Sequence, residues 1–147
     1  MLLMSAWWVL SCSSPDAYDV FDNPISIKKL QGKWILLNYW ATWCQACYQE
    51  IPTLNALNQI ENIQVLGINF DKLPKDQLQQ FVKNNNIHYT ILTTDIGAKF
   101  GIQQISSLPV TFIISPQGDI IKELYGPQSE QVFLKNLENP KTSEPKA

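Results

Sequence analysis

Arginine is absent from this sequence of 147 residues, and its 11 basic residues are all lysine. Phosphate and carboxylate sites commonly use the forked hydrogen bonding of a guanidinium group, and this chain has none to offer. Acidic residues number 13, which gives a net charge of −2. A protein whose main partner is nucleic acid needs a basic surface, so we exclude nucleic acid as the main partner.

Histidine and cysteine are also scarce. The chain has one histidine, His88, and three cysteines, Cys12, Cys44 and Cys47. A structural zinc site usually takes four such ligands, and neither His88 nor the distant Cys12 extends the close pair into a convincing set. We therefore predict no metal and no cofactor. No apolar run reaches the roughly 20 residues that cross a bilayer as a helix.

The first residues, 1–11 (MLLMSAWWVLS), carry no charged side chain. As a helix they would reach about 16 Å, so they are more typical of a signal peptide than of a membrane span, although the usual preceding lysine or arginine is missing. Residues 9–12 (VLSC) resemble a bacterial lipobox. That resemblance implies cleavage before Cys12 and lipidation of its thiol. The alternatives are a plain exported protein and a cytosolic protein with an unusual start.

Composition divides the rest of the chain into three parts. Residues 12–24 are polar and turn-prone and predict a tether. Residues 25–138 are expected to form one domain, because a chain with 45% hydrophobic and 16% charged residues can bury one core. Residues 139–147 are polar, contain two prolines and predict a flexible tail.

Hydrophobic patterns predict an α/β domain. The first long helix is expected to run from Cys44 towards Ile60, and Pro52 should kink it. Further helices are expected over 74–85, after a cap at Thr94, and over 129–137. Strands are expected over 25–27, 34–40, 63–70, 110–115 and 119–125. The first half requires a parallel crossover, and the second half offers an antiparallel hairpin around residues 116–118. We therefore predict a three-layer fold with a mixed central β-sheet flanked by helices.

The pair Cys44-Gln45-Ala46-Cys47 follows a buried strand and opens a helix. At a helix N-terminus, free backbone N–H groups and the dipole favour a thiolate, so Cys44 is expected to be the nucleophile. Cys47 lies three residues on, where its sulfur can reach that of Cys44 and resolve a mixed disulfide. The alternatives are half a zinc site and a static bridge, although closing so short a loop stabilises little.

Beyond the cysteine pair, residues 36–47 (LLNYWATWCQAC), then Glu50 and Pro52, then residues 108–112 (LPVTF), resemble the TlpA/ResA-like thiol–disulfide oxidoreductases, members of the thioredoxin superfamily in the bacterial envelope. This resemblance covers about residues 25–138 and implies a thioredoxin-like fold. It also implies a cis peptide bond at Pro109, which would face the two sulfurs, and a Leu108 backbone that pairs with bound peptide. Without the resemblance, Pro109 is equally compatible with an ordinary proline at the start of a strand.

The position of an acidic residue near the cysteines distinguishes two groups within that superfamily. Ordinary thioredoxins carry a buried aspartate six residues before the first cysteine, whereas this chain has Asn38 there and Glu50 three residues after Cys47. ResA-like proteins share this arrangement. One helical turn beyond Cys47, a buried Glu50 would have a raised pKa and could accept the Cys47 proton. The alternative is an ordinary exposed acid in an early helical turn.

These features predict a thiol–disulfide oxidoreductase of the bacterial envelope, periplasmic and held by a lipid anchor. Trp43 is expected to form an apolar rim around Cys44, or else simply to pack. The absence of histidine between the cysteines favours reduction of exported proteins, including apocytochrome c by family analogy, with electrons from a membrane thiol donor. The alternatives are a general disulfide oxidase or isomerase and a binding module for unfolded partners. A peroxidase is less favoured, because the chain lacks arginine and a Pro-x-x-x-Thr-x-x-Cys segment.

Overall fold

The computed structural model describes residues 14–138. Seven strands and four α-helices follow one another, with one 3₁₀ helix at Gly97–Phe100. The strands are β1 (Ala17–Tyr18), β2 (Pro24–Ile25), β3 (Trp34–Trp40), β4 (Ile63–Asn69), β5 (Thr90–Leu92), β6 (Val110–Ile114) and β7 (Ile120–Tyr125). The helices are α1 (Ile27–Leu30), α2 (Gln45–Leu57), α3 (Lys75–Asn84) and α4 (Glu130–Glu138).

The main sheet has the order β5-β4-β3-β6-β7, with β3 at its centre. Strand β3 runs parallel to β4 and antiparallel to β6. Its sequence WILLNYW is apolar except for Asn38, as expected for a strand covered on both faces. The predicted mixed α/β fold is confirmed, and the centre of its sheet carries one buried amide side chain.

Alternate residues of β3 enter two separate cores. Leu36 and Trp40 pack with residues from α2, α3 and α4, whereas Leu37 and Tyr39 pack on the opposite face of the sheet. Phe133 of α4 is fully buried in the first core. Each fully buried side chain of this size stabilises the fold by about 1.5–3 kcal/mol relative to an exposed one. Both faces of β3 therefore hold it rigidly at the point where the chain leaves the sheet.

The prediction of a tether over 12–24 is wrong for its described part. Strand β1 pairs with β2, and Val20 is only 1% exposed within the core. The Asp19 carboxylate accepts backbone N–H groups from Phe21 and Asn23, at 2.8 and 2.9 Å. A polar segment can thus form a compact turn when an aspartate satisfies its backbone donors, and the folded domain begins before residue 25.

Two smaller predictions also differ from the structure. Residues 25–27 do not form a strand; β2 ends at Ile25, and α1 begins at Ile27. Thr94 does not cap the short helix that follows it. The N-cap residue is Ile96, and the Oδ1 of Asp95 just before it accepts the N–H of Gly97 at 2.7 Å and also the Tyr39 hydroxyl at 2.8 Å.

The predicted signal peptide over 1–11, Cys12 and the predicted tail over 139–147 lie outside the described residues. Between residues 14 and 138, every helix is too short or too polar to cross a membrane.

Candidate active site

The two cysteines of the pair are joined as a disulfide at the start of α2. Cys44 is the N-cap residue, and its Sγ accepts the backbone N–H of Cys47 at 3.3 Å. Cys44 and Cys47 are 6% and 5% exposed. In the reduced protein this N–H and the positive end of the helix dipole would stabilise a thiolate on Cys44.

A carboxylate from a neighbouring loop holds the segment that leads into Cys44. Asp71 Oδ2 accepts the N–H of Thr42 at 2.6 Å and its hydroxyl at 2.7 Å. The Tyr48 hydroxyl donates to the Thr42 carbonyl at 2.8 Å. Burial alone would raise the pKa of Asp71, but hydrogen bonds from Thr42, Asn69 and Trp43 outweigh it and lower that pKa. Asp71 therefore stays charged and fixes the loop that leads into Cys44.

The predicted substrate-binding residues lie on two separate segments. Trp43, next to Cys44, is 70% exposed, which is unusual for so large an apolar side chain. Leu108 is half-buried, Pro109 is buried, and the peptide bond between them is cis. Because Val110 lies opposite Tyr39 in the β3–β6 register, Pro109 flanks the end of β3 that leads towards Cys44.

Glu50 lies three residues after Cys47 in α2, is only 1% exposed, and its two carboxylate oxygens have different partners. Oε2 accepts from Asn38 Nδ2 at 3.1 Å, and Oε1 accepts the backbone N–H of Gln128 at 3.1 Å. Asn38 Nδ2 also donates to Thr111 Oγ1 at 2.9 Å. Burial raises the pKa of Glu50 to about 7, although both hydrogen bonds to the carboxyl oppose this rise. A group with this pKa exchanges protons readily near neutral pH.

One side chain that the sequence analysis did not point out, Tyr89, belongs to the buried surroundings. Tyr89 is 5% exposed, and burial together with the negative charge of Glu50 raises its pKa, so that it remains a neutral phenol. A small cavity of about 10 Å³ lies beside Cys47 and is lined by Trp40, Ala41, Cys47, Tyr48, Ile51, Phe81 and Tyr89. Cys47 thus lies in an aromatic, poorly solvated environment.

The raised pKa of Glu50 predicts that the free energy of unfolding depends on pH. Between its ordinary pKa of 4.5 and its folded value of about 7, the folded protein binds more protons than the unfolded chain. The free energy of unfolding should therefore fall by about 3 kcal/mol as the pH rises through this interval and then level off. Urea unfolding of the oxidised protein between pH 4.5 and 8 measures this change.

Glu50→Gln is the control for that measurement, because it removes the titrating group and nearly preserves its shape. The variant should lose most of the pH dependence. An equally steep fall in the variant would show that another group is responsible. Asp16 and Asp71 do not interfere, since their pKa values lie below the ordinary value of 3.8 and their effects fall at more acidic pH.

His88 is exposed, and its backbone N–H donates to Asn55 Oδ1 at 2.7 Å. Across residues 14–138, no cluster of three or more His, Cys, Asp or Glu side chains is arranged to hold a metal ion.

Known proteins with similar sequences are thiol–disulfide exchange proteins. The sequence model of the AhpC/TSA family matches residues 12–123. The thiol:disulfide interchange protein HelX of Rhodobacter capsulatus is 36% identical over 73% of this chain and 60% of its own length. The thiol-disulfide oxidoreductase ResA of Bacillus cereus is 27% identical over 77% of this chain and 66% of its own length. The chain thus spans about three fifths to two thirds of these relatives.

Solved structures of similar proteins have the same fold as this chain. A thiol:disulfide interchange protein of the thioredoxin family from Chlorobium tepidum superposes with a TM-score of 0.71 at 25% identity, over 85% of this chain and 94% of that one. A DsbF homologue from Corynebacterium diphtheriae gives a TM-score of 0.72 at 22% identity, over 90% of each chain. The resemblance on which the sequence predictions rested is confirmed, and the chain belongs to the AhpC/TSA family, with a thioredoxin-like fold.

Proposed function

We propose that this protein is a thiol–disulfide oxidoreductase that reduces disulfide bonds of exported proteins. The observation that carries the proposal is the Cys44–Cys47 disulfide at the N-terminus of α2, next to an exposed Trp43. The similarity to HelX and ResA, whose names state this chemistry, supports the same activity.

The proposed reaction begins with the reduced pair. The Cys44 thiolate attacks one sulfur of a substrate disulfide, so a mixed disulfide forms and the other substrate sulfur leaves as a thiolate. Cys47 then transfers its proton to the Glu50 carboxylate and attacks the sulfur of Cys44. This second step releases the substrate's remaining sulfur and leaves the Cys44–Cys47 disulfide. Two electrons have moved to the substrate, whose thiolates take up two protons.

Trp43, Leu108 and Pro109 are proposed to position the substrate during this exchange. An indole that is 70% exposed offers apolar contact beside the nucleophile. The half-buried Leu108 offers backbone groups that can pair with an extended peptide by strand addition.

Reduction is the proposed direction of electron flow. The residues between the cysteines, Gln45 and Ala46, are uncharged and cannot stabilise the Cys44 thiolate as a histidine does in strong oxidants of this fold. A difference of about 30 mV in reduction potential corresponds to 1.4 kcal/mol for this two-electron couple. A measured reduction potential close to those of known reductants would distinguish the proposed reductase from an oxidase or isomerase. Apocytochrome c is one proposed substrate, and a membrane thiol protein is the proposed electron donor.

Anchoring to the bacterial envelope through lipidated Cys12 is part of the same proposal. In cells that carry out lipoprotein maturation, Cys12→Ala should move the protein from the membrane fraction to the soluble fraction. A mass measurement of the purified protein should show the added acyl groups only when Cys12 is present. An unchanged distribution together with an unmodified Cys12 would contradict the anchor.

Insulin reduction tests the proposed activity. In the presence of dithiothreitol, catalytic amounts of the protein should accelerate insulin precipitation several-fold above the rate with dithiothreitol alone.

The exposure of Trp43 also fits a binding module that holds unfolded partners without redox chemistry. A Cys44→Ser, Cys47→Ser double variant separates the two functions. Partner binding that persists in this variant, with no acceleration by the wild type, would favour the binding module.

A further inference from the structure

A cleft lies at the same end of the sheet as the cysteine pair. It is an open cleft of about 900 Å³ outside the carboxyl ends of the parallel strands β3, β4 and β5. Ligands of open α/β sheets commonly bind at this end, and the volume matches that of ligand sites in other proteins. One wall consists of residues from the loop between β4 and α3, and the opposite wall includes residues 103–105.

Both walls are connected to the two segments that flank the disulfide. Asn69, on the first wall, donates through Nδ2 to Asp71, the carboxylate that binds Thr42 two residues before Cys44. Ile105, on the second wall, precedes Leu108 by three residues. A polypeptide whose disulfide meets Cys44 can therefore continue directly into the cleft.

The chemistry of the lining suits an extended polypeptide. Its inner surface is apolar, with Ile68, Leu73, Leu92 and Ile105. Its rim carries exposed, neutral amide and hydroxyl groups that can pair with peptide groups: Thr93, Thr94, Gln103 and Gln104. A combination of apolar surface with a few polar groups is what binding sites use to fix the orientation of a ligand.

Three charged side chains line the cleft: Lys72, Lys75 and Asp95. Lys75 forms an ion pair with Asp22, and the Asp95 carboxylate accepts the Tyr39 hydroxyl but has no cationic partner among residues 14–138. Lys72 is exposed and, among residues 14–138, forms no ion pair. Its backbone is left-handed, with φ of 54°, a conformation uncommon for lysine that often marks functional loops. Lys72 therefore offers a carboxylate a positive charge, unpaired within the described residues, on the β4–α3 side of the cleft, while Asp95 carries the negative charge elsewhere in the lining.

We propose that this cleft binds the extended segment of substrate polypeptide that flanks the reacting disulfide, and that Lys72 selects segments with an acidic side chain. This inference rests on the proposed reductase function, which it extends by naming a substrate class.

Two disulfide-bridged peptides test the charge preference. They differ only in one flanking extension, which carries Glu residues in one peptide and Gln residues in the other. Stopped-flow measurement of the reaction with reduced protein should give a rate constant about threefold higher for the acidic peptide, as expected for one solvent-screened ion pair. Lys72→Glu should abolish or reverse this preference. Lys122→Glu, an equal charge change on β7 outside the cleft, should retain it.

A bulky side chain in the cleft tests the location. Gln104→Trp should lower the rate constant for the extended peptides, relative to that for the small disulfide of Ellman's reagent, by about tenfold, as for loss of one well-placed contact. Gln117→Trp, in the turn between β6 and β7, should leave this ratio unchanged. Both positions are exposed, where substitutions rarely disturb folding.

Several outcomes would overturn the inference. Equal rates for the two peptides in the wild type would remove the selection of acidic segments by Lys72, and an unchanged ratio in Gln104→Trp would remove the cleft from substrate binding. A peptide rate constant that falls with rising protein concentration would assign the cleft to a second copy of this chain instead. Failure of the wild type to react even with Ellman's reagent would be a different result, because it would contradict the proposed function itself.

Discussion

Cys47→Ser is expected to stop turnover and to leave substrate covalently attached to Cys44. The nucleophile and its stabilising surroundings remain, because Cys44 is still the N-cap residue of α2 and its sulfur still accepts the N–H of residue 47. The first exchange therefore proceeds, whereas a serine hydroxyl cannot break the mixed disulfide. Insulin reduction should fall on the order of a thousandfold, as for loss of a covalent catalytic group.

Cys44→Ser is the matched variant, and it should abolish turnover without forming any mixed disulfide. Non-reducing gel electrophoresis and mass measurement distinguish the two results. A mixed disulfide that forms on Cys47 of the Cys44→Ser variant, and not on Cys44 of the other, would reverse the two assigned roles.

Glu50→Gln is expected to give the second largest loss, and only in the second exchange. A positioned general base typically contributes between about 10²- and 10⁴-fold, so release of substrate from the mixed disulfide should slow by about a hundredfold at pH 8. With a pKa of about 7, Glu50 is mostly protonated at pH 6 and cannot accept the Cys47 proton. The wild-type release rate should therefore rise with pH and level off above 7, and the variant should lose this inflection.

Stopped-flow mixing of the reduced protein with a fluorescently labelled disulfide peptide measures both exchanges in one experiment. The first exchange should be nearly unchanged in Glu50→Gln, and an equivalent change at the exposed Glu61 should affect neither step. The variant is expected to fold, because Asn38 can turn its amide and present its oxygen to the new side chain. An unaltered pH profile of substrate release would remove Glu50 from the mechanism.

Glu50 also explains how the site is integrated into the fold. Its carboxylate joins α2 to Asn38 of β3 and to the Gln128 backbone ahead of α4, and Asn38 in turn reaches Thr111 of β6. One network therefore connects four parts of the chain, among them the helix that begins with the disulfide. Such networks are costly when a partner is removed, which is why Asn38 and Glu50 act as a unit.

Much of the fold could be predicted from local sequence. The run WILLNYW identifies the central strand, and the position of the cysteine pair after it identifies the start of α2. The segment before residue 25 was mispredicted, because the turn closed by Asp19 and the burial of Val20 depend on contacts with the rest of the domain.

The candidate site was only partly predictable for the same reason. The cysteines and Glu50 are close in sequence, so helical spacing brings them together. Asp71 lies 29 positions from Thr42, and Tyr89 is brought to Glu50 only by the strand order of the sheet. The cis peptide bond before Pro109 was expected solely from the family resemblance, because the local sequence around a proline seldom shows whether the preceding peptide bond is cis or trans.

Thiol labelling under native conditions tests the central claim most directly. After treatment with dithiothreitol and its removal, the folded protein should take up an alkyl group on Cys44, and denaturation in the presence of the reagent should add a second on Cys47. After reaction with excess oxidised insulin it should take up none at these positions. A Cys44 sulfur that stays unlabelled after dithiothreitol, while the protein remains folded, would show that the bridge is a fixed structural element and would contradict the proposed exchange.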